Sequence, residues 1–225
     1  VERPYDVDRL SSGYYRTSFL FKPKDGSTQF VAKVLKLKRP QNEGSRRKVT
    51  DEAVLLDNLS ASNRFSNIYA HCSNTVFVEK GIELTYKMVP HREGFNDDSV
   101  RGFIPQEELD QLEKNGLRQS MNNLTPEQKL DIAIAMAESL AELHGFKYGV
   151  VVHDDISVDQ WMLSTVDGRV MLNDLNSAAA LEWNDEEGDY CDFLPTYSGN
   201  FRAPEIHQNK GYASEQSDVW PMGGM

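Results

Sequence analysis

The sequence predicts an α+β fold of two lobes, a small antiparallel β lobe with one helix and a mainly helical large lobe. Three observations predict it. The first 37 residues are β-prone and broken by an Asp25-Gly26 turn. Residues 46–59 carry apolar side chains at helical spacing. From Thr125 a strongly capped amphipathic helix leads into a loop and then a hairpin turn at Thr165-Val166-Asp167-Gly168, where Asp-Gly tolerates the positive φ of a tight connection.

Composition narrows the function classes. With 225 residues, 39% hydrophobic and 26% charged, the chain is ordinary for a globular protein and long enough for one large domain or two lobes. A net charge of −11 argues against nucleic acid or an anionic membrane as the main partner, and means that a polyphosphate ligand needs local cations. Cys72 and Cys191 are too few for a disulfide framework. No apolar run approaches the roughly twenty residues of a membrane span.

Tyr14 to Phe21 reads as an aromatic strand, Lys22 to Ser27 as a turn, and Gln29 to Leu37 as a second strand. Val31, Lys33 and Leu35 share one face of that strand, because side chains alternate with period two. A lysine between two aliphatics either snorkels to solvent or is held for a charged partner. The helix at 46–59 favours the partner: Val49, Ala53, Leu56 and Leu59 form its apolar face, and Glu52 lies on the same inward side, nineteen residues after Lys33.

Thr75 to Val78 and Glu83 to Val89 read as a strand pair, His91 to Arg101 as a solvated loop, and Gln106 to Glu113 as a short helix. At Thr125 the helix start is explicit: a capping threonine, Pro126 at the first helical position, and Gln128 closing a capping box. Leu130, Ala133, Ile134, Met136, Ala137, Leu140 and Leu143 then form a wide apolar face.

His153 to Asn176 concentrates the polar groups. Ile156 and Trp161-Met162-Leu163 anchor a loop in the core, and the Asp167-Gly168 turn returns the chain along Arg169 to Leu172. Asp155, Gln160 and Asp174 are thereby aimed at one place. Two carboxylates and an amide oxygen suit a hard cation such as Mg²⁺, which takes few protein oxygens and keeps waters and phosphates as its other ligands. The plainer alternative is a polar hairpin with scattered surface carboxylates.

The pattern H-D-D-x-x-x-x-Q at 153–160, followed by Asp174-Leu175-Asn176, resembles the H-R-D-x-x-x-x-N and D-F-G loops of protein kinases. Ser11 to Arg16 resembles the glycine-rich loop, with Gly13 kept and Tyr15 in place of the aromatic at its tip. Lys33 and Glu52 resemble the lysine–glutamate pair, and Lys87-Met88-Val89-Pro90 the hinge, with Tyr86 as gatekeeper. Ser198 to Glu205 resembles the end of the activation segment. Ser217 to Gly223 resembles the opening of the large lobe's central helix, where Asp218 would cap the helix and brace the catalytic loop. The resemblance spans Ser11 to Gly223.

It implies a two-lobed protein-kinase-like fold, with an N-lobe at 1–89 and a C-lobe at 90–225 that is incomplete, ending early in its central helix. It implies ATP and Mg²⁺ as cofactors and a protein substrate or a scaffold partner. Lys33 and Glu52 would hold phosphates, and Asp155 would accept the substrate hydroxyl's proton. Gln160 and Asp174 would bind Mg²⁺. Gly13, Val31, Tyr86, Lys87, Met88 and Met162 would contact nucleotide, with Val31 and Met162 sandwiching adenine.

The departures are equally specific. Asp154 replaces the arginine that pairs with an activation-loop phosphate, and Ser157 replaces the lysine that neutralises the transferred phosphoryl. Gln160 replaces asparagine, Leu175 phenylalanine, and Asn176 the glycine at which a left-handed backbone is expected. Arg16 stands at the third glycine and is expected to change how the loop closes. The readings are a divergent protein kinase, a pseudokinase serving as a nucleotide-binding or interaction module, and a small-molecule or sugar kinase.

Overall fold

Alternating apolar side chains build the N-terminal part into a five-stranded antiparallel sheet of order β1-β2-β3-β5-β4. Its strands are β1 (Tyr5–Ser12), β2 (Arg16–Pro23), β3 (Phe30–Leu35), β4 (Ile68–Cys72) and β5 (Thr75–Glu79), with α1 (Glu43–Leu59) between β3 and β4. The computed structural model describes residues 3–38, 43–84, 124–195, 202–207 and 211–225. The loop expected at His91 to Arg101, the helix at Gln106 to Glu113 and the hinge residues Tyr86, Lys87 and Met88 lie outside these.

Gly26, at φ 77°, closes the expected turn between β2 and β3. The ladder sets Arg16 opposite Leu35, Ser18 opposite Lys33 and Leu20 opposite Val31. Val78 and Val76 of β5 in turn face Val31 and Lys33. Directly opposed residues share a face, so Arg16, Leu20, Val31, Lys33, Leu35, Val76 and Val78 all point inward, and all are buried. On the other face Tyr5, Phe21, Phe30 and Phe77 form an aromatic layer, with Phe21 and Phe30 stacked at 5.1 Å. Helix α1 closes the inner face with Val49, Glu52, Ala53, Leu55, Leu56 and Leu59. A fully buried leucine such as Leu56 contributes about 1.5–3 kcal/mol.

Residues 85–89 of the strand expected at Glu83 to Val89 lie outside the described residues, and the expected partner, Thr75 to Val78, has both its edges filled by other strands. β5 lies between β3 and β4, and β6 (Gly81–Glu83) leaves that sheet. The following elements are α2 (Pro126–His144), β7 (Val151–Val152), β8 (Trp161–Ser164), β9 (Val170–Leu172), β10 (Ala179–Ala180), β11 (Trp183–Asn184), β12 (Asp189–Tyr190), α3 (Pro204–His207) and α4 (Glu215–Met222). β6 pairs with β8 in a second sheet of order β6-β8-β9. Glycine permits this crossing: a Cβ at Gly81 would sit 2.7 Å from Met171 Cε and 2.8 Å from Met162 Cβ.

Thr125 and Gln128 form the expected capping box of α2. The buried face of α2 differs from expectation, however. Ile132, Ala135, Met136, Ser139, Leu140 and Leu143 point inward, whereas Leu130 is 60% and Ile134 45% exposed. The apolar stripe is wider than one packing seam. The seam used is the one that lets Ser139 Oγ accept from Nε1 of the fully buried Trp161 at 2.9 Å. One core then runs through both lobes, from Leu20, Val31 and Val78 through Phe65 to Leu140, Trp161 and Leu172. Helix α4 is capped by Ser214 in a capping box with Ser217, so Asp218 lies inside the helix and is not its cap.

Candidate active site

The alternation that turns Lys33 inward also turns Arg16 inward, since Arg16, Ser18 and Leu20 alternate along β2 opposite Leu35, Lys33 and Val31. α1 brings Glu52 under both cations. Lys33 Nζ lies 3.3 Å from Glu52 Oε1, and Arg16 Nη1 donates to Glu52 Oε2. Arg16 Nη2 donates to Asp174 Oδ1, and Lys33 Nζ sits 3.7 Å from the same oxygen. Lys33 also donates to Asn173 Oδ1 at 2.8 Å. Two cations therefore face two carboxylates in one cluster, with Arg16, Lys33 and Glu52 buried and Asp174 half-buried at its edge.

The loop that carries Asp155 is braced from below. Asp218, buried in α4, accepts from the backbone N–H of His153 at 2.6 Å and of Asp154 at 3.0 Å. His153 Nε2 lies 3.2 Å from the carbonyl of Asn173, tying this loop to the one that carries Asp174. The Gln160 carbonyl accepts from the Asn173 N–H at 2.9 Å, and Gln160 Nε2 donates to Asp155 Oδ2 at 3.3 Å. The left-handed residue after β9 is Asp174 itself, at φ 58°, whereas Asn176 lies in a 3₁₀ turn at 175–177. That turn closes by the Ala178 N–H reaching the Leu175 carbonyl, so Asn176 needs no positive φ.

Charge follows from these contacts. Burial opposes the charge of Arg16, but attraction to Glu52 and Asp174 outweighs it and moves its pKa up. Burial likewise pushes Asp174 up, yet Lys33 and Arg16 together pull its carboxyl below the ordinary value. Asp155 goes the other way. Burial raises it, against the pull of His153 and Arg202, so it is a stronger base than a free aspartate.

The expected ligands for Mg²⁺ do not fit the ion as they are placed. Asp174 Oδ1 already receives Arg16 and, at 2.8 Å, Asn176 Nδ2, while Gln160 turns an N–H toward Asp155. No cluster of three or more His, Cys, Asp and Glu side chains among the described residues suits a metal. An ion at Asp174 would also face Arg16. At about 4 Å and an effective dielectric of about 20, two unit charges repel by about 4 kcal/mol, and a divalent ion doubles that.

Of the expected residues, then, the structure joins Lys33, Glu52 and Asp174 in one cluster, and Asp155 with Gln160 in a second joined to it through Asn173. Gly13 is exposed in the turn between β1 and β2, its carbonyl accepting from Lys36 Nζ. Val31 lies on the inner face of β3, and Met162 is half-buried on β8. The strand beside β3 ends at Glu79, and its side chain opposite Val31 is Val78. Arg16, Asn173 and Val78 join the site unanticipated. For Arg16 a signal existed: counting back from the Asp25-Gly26 turn puts it on the same face as Leu20.

A family model, protein kinase domain, matches residues 6–225. A search among curated proteins finds no match. No helix among the described residues is long and apolar enough to cross a membrane. The five-stranded sheet with its lysine–glutamate pair, the aspartate-braced loop and the match over nearly the whole chain agree: this chain belongs to the protein kinase domain family.

Proposed function

We propose that this domain binds ATP between its two lobes and transfers the γ-phosphoryl group to a hydroxyl of a protein substrate. The observation that carries this reading is the chain of contacts from Lys33 through Asn173 and the Gln160 backbone to Asp155. It supports the reading because it links Lys33, a cation able to hold phosphate, to Asp155, a carboxylate able to take a proton. Lys33, oriented by Glu52, holds the α- and β-phosphates. Val31 and Met162 enclose the adenine. Asp155 takes the proton of the attacking hydroxyl. The hydroxyl oxygen bonds to the γ-phosphorus while the bond from that phosphorus to the β–γ bridging oxygen breaks, and ADP leaves with the electron pair. Such transfer depends on positioning and charge neutralisation, and Ser157 supplies no cation, so the rate falls below the ordinary kinase range.

A second reading, a nucleotide-binding or interaction module that transfers nothing, is favoured by one observation: Arg16 occupies Asp174. Calorimetric titration with ATP, beside incubation of the full chain with γ-labelled ATP and either protein or small-molecule and sugar acceptors, tests both. Label in protein supports the proposal. Label only in small acceptors overturns it, and binding without label anywhere establishes the second reading.

A further inference from the structure

Where the family's glycine-rich loop carries its third glycine, this chain carries a buried arginine whose two terminal nitrogens bridge Glu52 and Asp174. We propose that Arg16 is a tethered replacement for the divalent cation, so that this site binds a nucleoside triphosphate without metal. The inference rests on the ATP-binding reading above and adds to it which group takes the metal's place at Asp174.

Arg16 is held by a strand. It opens β2 in register with Leu35, and the neighbouring Tyr15 carbonyl accepts from the Lys36 N–H at 2.9 Å. Its guanidinium is therefore delivered to Glu52 and Asp174 by the sheet itself. A guanidinium stays charged at any working pH and presents five N–H groups in a planar fork that matches carboxylate and phosphate oxygens. Two of those directions are spent on Glu52 and Asp174. Lys33 lies in the same cluster, so two fixed cations balance two carboxylates before any ligand arrives. A site balanced in this way does not repel a polyphosphate. It does repel a divalent ion, because the carboxylate that would ligate it is already neutralised and a fixed cation stands beside it. Metal and Arg16 are alternatives at Asp174.

The test is titration of the full chain with ATP by calorimetry, in EDTA and in millimolar Mg²⁺, for the wild type, Arg16→Gly and Arg16→Lys. Melting with Mg²⁺ or Mn²⁺ alone is followed in parallel. The wild type is expected to bind ATP with affinities within about threefold in the two buffers, and its melt is not moved by metal. Arg16→Gly loses about tenfold or more of the metal-free affinity and gains a metal-dependent melt shift and metal-stimulated binding. Arg16→Lys keeps the charge but offers one nitrogen where the guanidinium offers two in a planar fork. It is expected between the two, and it guards against a glycine variant that fails to fold. Wild-type binding that requires Mg²⁺ overturns the proposal while leaving the ATP reading intact. So does a wild type that binds no ATP when Arg16→Gly binds it with Mg²⁺, which makes Arg16 a plug. Absence of ATP binding in all three folded proteins, under both conditions, sinks the ATP reading and this proposal with it.

Discussion

The Asp154 carboxylate accepts a 2.8 Å hydrogen bond from Nη1 of Arg202, joining the loop at 153–160 to the residue just before Ala203-Pro204-Glu205. Asp154 is buried and left-handed at φ 58°, a conformation that aspartate tolerates better than most residues. Arg202 Nη2 also comes within 3.9 Å of Asp155. In this family an arginine on the loop commonly pairs with a phosphate on the segment. In this chain the polarity is reversed: the carboxylate is on the loop and the guanidinium on the segment, so the clamp forms without phosphate.

Breaking that clamp is expected to be costly. Removing one partner of a buried ion pair costs about 3–5 kcal/mol, so Arg202→Met should lower the urea midpoint markedly. In a double-mutant cycle with Asp154→Asn the coupling should exceed about 1 kcal/mol. Additive effects of the two substitutions would show that the pair is incidental. Phosphatase treatment should leave the stability of the wild type unchanged.

Lys33→Ala is expected to weaken ATP binding by about tenfold or more, about 1.4 kcal/mol, with little change in melting temperature. The fold survives because Arg16 still neutralises the buried Glu52. Calorimetry and a thermal melt on the same sample separate the two effects, and an unchanged affinity would refute the role given to Lys33.

Asp155→Asn should lower phosphoryl transfer by about 10²- to 10⁴-fold while nucleotide affinity hardly moves. The pH dependence carries a sign. Burial raises the Asp155 pKa, so its contribution to stability is present at low pH and fades as pH rises through the folded pKa. Its use as a base runs the other way, appearing only as the proton leaves. The acid limb of kcat/KM is therefore expected above the ordinary aspartate range, and a limb within that range would contradict the assignment.

Ser157→Lys should raise the transfer rate, each tenfold gain corresponding to about 1.4 kcal/mol of transition-state stabilisation. Ser157 donates to Asp159 at the edge of the loop, so the change breaks only one exposed contact. Single-turnover rates at saturating ATP measure it. A wild type that binds ATP, transfers nothing, and stays inert with this substitution would favour the second reading.

The sequence by itself determined what depends on a few neighbouring residues. Period-two alternation put Lys33 inward, helical spacing put Glu52 on the apolar face of α1, and Thr125 with Gln128 started α2. Asp167-Gly168 turned the hairpin that brings Asp174 back toward the loop of Asp155. Each of these follows from local backbone geometry and from which side of an element is apolar. The choice of partner was left to tertiary structure. Alternation says that Arg16 faces inward, but not that Asp174, 158 residues away, stands there to receive it. The same holds for Arg202 and Asp154, 48 residues apart. The wide apolar stripe of α2 allowed several seams, and the position of Trp161 selected one. Similarly, β6 can pass Met162 and Met171 to join β8 because Gly81 has no Cβ to meet them. A periodic pattern names the face on which a side chain lies, and only the packing of separate elements decides what charge it meets there.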